Sequence, residues 1–143
     1  MEELRISVRS LRDDYYESFE NKLAELKDRV EKITGIEIIT EFSDLSLIPM
    51  KYRKTIYYII VESITNGIKH GKCSKIFITL KAGKDKVIVG IANNGILPKK
   101  IVPGFGLTQI DENINELGGT LKYGVRKGEY YINAEFNISK GEM

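Results

Sequence analysis

Leu4, Val8, Leu11 and Tyr15 fall on one helical face, and after Asp13-Asp14 a cleaner stripe follows at Phe19, Leu23, Leu26, Val30 and Ile33. Spacings that alternate between three and four residues predict an amphipathic helix of about five turns. Gly35 stands where its C-cap belongs. The first dozen residues read as a separate short helix that packs on something larger, because so short a helix has little stability of its own. Ile36 to Phe42 is β-rich and predicts a strand. Ser43 to Pro49 reads as a loop, with Pro49 opening the next helix. From Lys51 to His70, the positions Tyr57, Ile60, Val61, Ile64 and Ile68 mark the expected buried face.

The period then changes to two. Ile76, Ile78 and Leu80 alternate with Phe77 and Thr79, and Val87, Val89 and Ile91 alternate with Ile88 and Gly90. The link Ala82-Gly83-Lys84-Asp85 has hairpin chemistry. Asn93 to Gly106 reads as irregular. Leu107, Ile110, Ile114 and Leu117 predict a helix stopped by Gly118-Gly119, and two strands follow, Thr120–Val125 and Tyr130–Ile138. Consecutive strand pairs point to an α+β fold in two layers, a mixed or antiparallel sheet covered on one face by helices.

Composition narrows the classes without choosing among them. One domain fits 143 residues, and a net charge of +2 with interspersed signs does not call for nucleic acid as a partner. A single Cys (Cys73) and a single His (His70) exclude an internal disulfide and a conventional four-ligand zinc site. A Cys–His nucleophilic pair three residues apart is conceivable, but Gly71 is expected to end a helix between them, and a lone Cys is more often a small packing residue. The apolar runs are far shorter than the ~20 residues of a membrane span, and the N-terminus does not read as a signal peptide. The expected setting is cytoplasmic, with no direct membrane contact by this segment.

The candidate chemistry begins on the helix from Lys51. Glu62, Asn66, Lys69 and His70 recur at i, i+4, i+7 and i+8, which puts them on one face. A carboxylate, a carboxamide and two cation-forming side chains suit a magnesium–polyphosphate ligand. A solvated face with an i,i+4 hydrogen bond explains the same spacing. The strand Val87–Ala92 runs into Asn93-Asn94-Gly95, where short amides and a glycine let the backbone turn sharply beside a ligand. Gly104-Phe105-Gly106-Leu107 opens the next helix, and glycines at a helix start expose backbone N–H groups to an anion. Such a pair of glycines can equally be a flexible turn.

The order of these segments resembles the nucleotide-binding (Bergerat) fold of the GHKL ATPases, and within it the catalytic domains of bacterial sensor histidine kinases. Glu62-Ser63-Ile64-Thr65-Asn66-Gly67-Ile68-Lys69-His70 resembles the N box. Asn93-Asn94-Gly95 and Gly104-Phe105-Gly106-Leu107 fall at two glycine boxes, and Leu117-Gly118-Gly119-Thr120-Leu121 resembles the end of the kinase domain. Ser7-Val8-Arg9-Ser10-Leu11-Arg12 resembles the junction leaving the dimerisation helices, so residues 1–12 are expected to be the stump of such a helix and 13–143 the ATP-binding catalytic domain.

The resemblance implies roles. Asn66 would coordinate Mg²⁺ bridging the phosphates of ATP, and Glu62 would act as base or polarising residue for the incoming nucleophile. Lys69 and His70 would lie near the phosphates. Residues 96–103 would be the lid, where Lys99 and Lys100 read either as a solvated pair or as phosphate neutralisers; Gly104 and Gly106 would let it close over the phosphates, with Phe105 and Leu107 beside them in the nucleotide site. Gly95 would shape the adenine pocket. The family has Asp, which reads the adenine amino group, where this chain has Asn93; Asn93 can still accept that hydrogen bond through its amide oxygen and donate to a ring nitrogen, without charge assistance, so ATP is expected to bind modestly. Leu97 stands where the family has a further glycine. A phosphoacceptor His is missing, since His70 sits in the N box. The implied partners are therefore a dimerisation and phosphoacceptor domain outside this chain and, through the full-length kinase, a response regulator. The resemblance also allows that kinase to be anchored in the inner (plasma) membrane. The alternatives are an anti-sigma factor serine kinase and a non-catalytic scaffold of the same fold.

Overall fold

The computed structural model describes residues 18–95 and 105–138. The expected N-terminal helix and its stump at residues 1–12, and the expected lid at 96–103 with Lys99 and Lys100, lie outside the described residues.

Helix α1 (Phe19–Thr34) starts at Ser18, whose Oγ accepts the Asn21 N–H at 3.0 Å. It ends at Gly35, whose φ of 75° is left-handed and whose N–H donates to Glu31 O at 2.9 Å. Strand β1 (Glu37–Phe42) follows, tied back to α1 by the Ile38 N–H on Glu31 Oε2 at 2.9 Å. A 3-10 turn at Leu45–Leu47, in the stretch read as a loop, leads to α2 (Met50–Asn66), which runs on into a π-helical turn at Gly67–Gly71. Strands β2 (Lys75–Ala82) and β3 (Lys86–Asn93) form the expected hairpin. Helix α3 (Phe105–Glu116), β4 (Thr120–Arg126) and β5 (Glu129–Asn137) complete the order.

The five strands form one mixed sheet in the order β1-β2-β3-β5-β4. β1 runs parallel to β2, with α2 as the crossover, and the other pairs are antiparallel. The period-two pattern sorts the residues by face. Ile76, Ile78 and Leu80, Val87, Val89 and Ile91, and Ile132, Ala134 and Phe136 are buried in one core with α1, α2 and α3. Phe77, Thr79, Gly90, Tyr131 and Asn133 fall on the opposite face, which no described helix covers. The two-layer α+β expectation is met.

Two helical stripes come out differently from the sequence reading. Ile33 is 75% exposed, because α1 rolls off the core in its last turn. On α2 the fully covered residues are Tyr52, Ile56, Ile59, Ile60, Ser63 and Ile64, while Tyr57 and Val61 are flanking and Ile68 is 37% exposed. The helix is apolar on more than one side because it meets both the sheet and α1, so its apolar positions alone do not single out the innermost face. Ile68 lies in the π-turn, whose wider winding carries it away from the α-helical stripe.

The α3–β4 corner is closed by a Schellman motif. Gly118 is left-handed (φ 74°) and donates to Asn115 O at 3.0 Å, and Gly119 donates to Ile114 O at 2.9 Å. A Cβ on Gly119 would come within 2.7 Å of Phe136 Cδ1 and 2.8 Å of both Ile114 Cγ2 and Glu135 O. Helix and strand touch there through bare backbone.

Candidate functional site

The end of α2 and the end of β3 meet at Gly67. A Cβ on this residue would lie 3.3 Å from Cys73 Sγ and 3.5 Å from Asn93 Nδ2. The missing side chain thus lets the helix bearing Glu62 and Asn66 come up against the strand end bearing Asn93. Sequence reasoning quoted Gly67 within its motif but gave it no role.

Asn93 is 8% exposed and sits on the helix-covered face of the sheet, paired across the strands with Ile76 and Tyr130. Its Oδ1 accepts the Gly95 N–H at 2.9 Å, an Asx turn that sends the chain off the sheet. Asn94 is the structural half of the dipeptide. Its Oδ1 accepts from the backbone N–H groups of Ser74 (3.0 Å) and Lys75 (2.9 Å), and its Nδ2 donates to Ser74 Oγ at 2.9 Å. These bonds lash the exit of β3 to the start of β2 and hold the turn in place.

Glu62 and Asn66 are half-buried on α2, one turn apart. Tyr58, a further turn back, is a neighbour of Glu62. Burial, and then the neighbouring Glu62 carboxylate, push the Tyr58 phenol above its ordinary pKa. Asn66 makes no side-chain capping bond although it stands at the helix end. Lys69 is exposed in the π-turn, which turns it away from the straight-helix line through Glu62 and Asn66. His70 shares that turn in its backbone, and its side chain lies outside what the structure describes. The same holds for the side chain of Phe105 at the start of α3, where Gly106 is described in its backbone alone, and Gly104 lies outside the described residues. Leu107 is buried.

Ser63 is the residue the sequence reading passed over. It is 6% exposed, and its Oγ is buried with no hydrogen-bond partner among the described residues. Its only sequence signal is a hydroxyl on the apolar face of α2, four residues before Gly67. Tyr130, the cross-strand partner of Asn93, has its pKa raised by burial, with Tyr123 contributing. Cys73 is buried and its thiol is likewise pushed up by burial, the opposite of what a nucleophile needs.

Among the described residues no group of three or more His, Cys, Asp or Glu could hold a metal ion. That donor set fits a hard cation only where the ligand brings most of the oxygens. The uncapped Asn66 amide can then supply one neutral oxygen to an ion that phosphates and water complete. A depression of about 230 Å³ lies elsewhere, on the face of the sheet away from the described helices, lined in part by Thr79, Gly90, Arg126, Tyr131 and Asn133. Ser63, Asn66 and Asn93 take no part in it. No described helix is long and apolar enough to cross a membrane.

Comparison with known proteins bears on what this geometry belongs to. No protein-family model matches the chain. Over 97 residues, 66% of this chain, it is 30% identical to the sensor histidine kinase YxjM of Bacillus subtilis (strain 168). Its fold matches the catalytic domain of histidine kinase ThkA, solved in a nucleotide-free form, with a TM-score of 0.67 at 20% identity over 85% of this chain and 92% of that one. The chain is a relative of the sensor histidine kinases and has the fold of their catalytic domain. The same histidine kinase fold recurs in the blue-light activated histidine kinase EL346 of Erythrobacter litoralis, with a TM-score of 0.65 and 14% identity over 82% of this chain and 41% of that one. The match to YxjM spans 24% of that kinase's length, so the histidine kinase likeness concerns one part of a longer relative.

Proposed function

We propose that this chain is the nucleotide-binding catalytic domain of a two-component sensor histidine kinase. In this reading residues 13–143 form the domain and residues 1–12 the stump of a dimerisation helix. The domain takes a magnesium–nucleoside triphosphate, ATP being the donor that the resemblance names. It delivers the γ-phosphoryl group to a histidine on a dimerisation domain outside this chain, and the whole kinase passes it on to a response regulator. The observation that carries the reading is the approach at Gly67, which sets Asn93 against the end of the helix that bears Glu62 and Asn66.

Each residue has a physical task there. Magnesium, when bound, neutralises phosphate charge, and Asn66 would hold it through its amide oxygen. The Glu62 carboxylate, with Tyr58 as its neighbour, would orient the accepting imidazole and take its proton. Lys69 and His70, in the turn that follows, would approach the phosphates as the resemblance implies. Phosphoryl transfer asks mainly for positioning and charge neutralisation, which this set supplies. Asn93 faces the base, Gly95 shapes its pocket, and Gly104, Phe105, Gly106 and Leu107 lead from the closing segment into α3.

Calorimetry with Mg-ATP on this chain and on Asn93→Asp tests the proposal. Binding by at least one, lost in Asn66→Ala, is expected. Absence of binding by both overturns it.

A further inference from the structure

The face of the sheet that no described helix covers carries a trough along β3. Ala92 and Gly90 have little or no side chain there, and they are flanked by Phe77 and Thr79 on β2 and by Tyr131 and Asn133 on β5. Strands two apart in a sheet stand about 9–10 Å from each other, so the side chains of β2 and β5 make two walls and the bare stretch of β3 the floor of a depression of about 230 Å³. Its inner end is polar. The Asn133 carboxamide leans over Gly90, with Oδ1 2.8 Å from where a Gly90 Cβ would lie and Thr79 beside it, and neither side chain has a hydrogen-bond partner among the described residues. Its outer end, at the β4–β5 turn, sets two cations, Arg126 and Lys127, against one carboxylate, Glu129. Elsewhere on this face Lys75, Lys81 and Lys86 each lie within 4.0 Å of a carboxylate, those of Glu37, Glu41 and Glu135. Among the described residues neither Arg126 nor Lys127 is in an ion pair. Arg126 lies over the Tyr131 ring, 4.5 Å from its centroid, and a stacked guanidinium keeps its N–H edge free for a carboxylate.

We infer that this trough binds a small aromatic acid, a single planar ring with a carboxylate at one end and a hydrogen-bonding group at the other. The ring lies over Ala92 between Phe77 and Tyr131, where it removes apolar surface from water. The carboxylate meets the Arg126 guanidinium edge and the Lys127 ammonium. A phenol hydroxyl at the far end of the ring reaches the Asn133 amide and the Thr79 hydroxyl, each of which can donate or accept. Size sets the class of ligand. Sites for drug-sized ligands run to about 300–1,000 Å³, so the trough takes one ring and is too small for a nucleotide. The floor lies on the reverse of β3 from Asn93, and the inference therefore stands apart from the nucleotide reading.

The test is calorimetry and two-dimensional NMR of the chain with para-hydroxybenzoate as probe, para-hydroxybenzyl alcohol as its uncharged counterpart and acetate as the anion without a ring. The acid is expected to bind with a Kd below about 1 mM and to shift the amide resonances of Gly90, Ala92 and Asn133. The alcohol is expected to bind at least about fivefold more weakly, and acetate not measurably. Ala92→Leu fills the floor and is expected to abolish binding. Arg126→Gln is expected to weaken the acid at least about fivefold and to leave the alcohol unaffected. No binding of the acid at this level, equal affinities for acid and alcohol, unchanged binding in either folded variant, or shifts confined to the surroundings of Gly67 overturn the inference. So does binding of an acidic, tyrosine-containing peptide without the free acid, which assigns the trough to a protein partner. Circular dichroism checks that each variant folds. Arg126 is exposed, so Arg126→Gln decides the matter if Ala92→Leu does not fold.

Discussion

At Gly119 and at Gly67 a helix end comes so close to a strand that a side chain is left out, yet the two approaches are finished with different materials. Around Gly119 the neighbours are the Phe136 ring, an Ile114 methyl and the Glu135 carbonyl, all within 2.8 Å of a Cβ position. Around Gly67 they are a thiol and a carboxamide at 3.3 and 3.5 Å, with a buried hydroxyl one turn away. Hydrocarbon and a backbone carbonyl close the first approach completely. Polar groups line the second, and among the described residues the Ser63 hydroxyl has no hydrogen-bond partner. An unmatched buried polar atom destabilises a fold, so the Ser63 hydroxyl beside one approach sets it apart from the other, where packing alone accounts for the close contact.

The sharpest way to break the contrast is to disturb the closed side. Phe136 is fully buried and stacks on Tyr52 at 5.3 Å between ring centres, so Phe136→Ala is expected to cost about 3–5 kcal/mol in a urea melt. Gly119→Ala forces a methyl into atoms that cannot retreat and is expected to cost about 1–3 kcal/mol, read the same way. At the open side the balance should invert. Gly67→Ala lies in helical backbone, where alanine is favoured by up to about 1 kcal/mol. Stability should change little, while nucleotide affinity drops because the new methyl occupies the approach to Asn93. A large loss of stability in Gly67→Ala would show that the two glycines do the same job.

The smallest effect is expected on the face of the sheet away from the described helices, where Lys86 Nζ meets Glu135 Oε1 at 2.6 Å. The lysine's hydrogen bond, then its charge, hold the Glu135 carboxyl below its ordinary pKa of 4.5. Since the folded value is depressed, this contribution is present above about pH 4.5 and fades as pH falls through the folded value. Both groups are exposed to solvent, so Glu135→Gln should shift the acid limb of a pH melt only slightly, and less in high salt.

The strands were readable because each has one covered face and a period of two, which also sorted core from surface residues correctly in β2, β3 and β5. The innermost face of α2 was not, because a helix pressed on by both a sheet and another helix is apolar most of the way round. Nothing local marks β1 as parallel to β2, since pairing direction is decided by the path of the intervening helix. At the site, the amide and the carboxylate were legible as residue types at a helical spacing. The π-turn that carries Lys69 round, the Asx bond that orients Asn93 and the stranded Ser63 hydroxyl all depend on atoms brought together from distant segments. Residue type and spacing do not encode those meetings.

The parallel pairing of β1 also has a consequence in time. The β2–β3 and β4–β5 hairpins join neighbours in the chain and can close early. β1 finds its register, Glu37 opposite Lys75 through Phe42 opposite Leu80, only after the whole of α2 has been laid across the gap. Long-range closure of this kind is slow because the chain gives up its freedom before any contact rewards it. β1 is bonded to the sheet along one side alone, and α1 is fastened to β1 by the Glu31–Ile38 bond. These two elements should therefore be the last to join during refolding and the first to exchange their amide hydrogens in the native state.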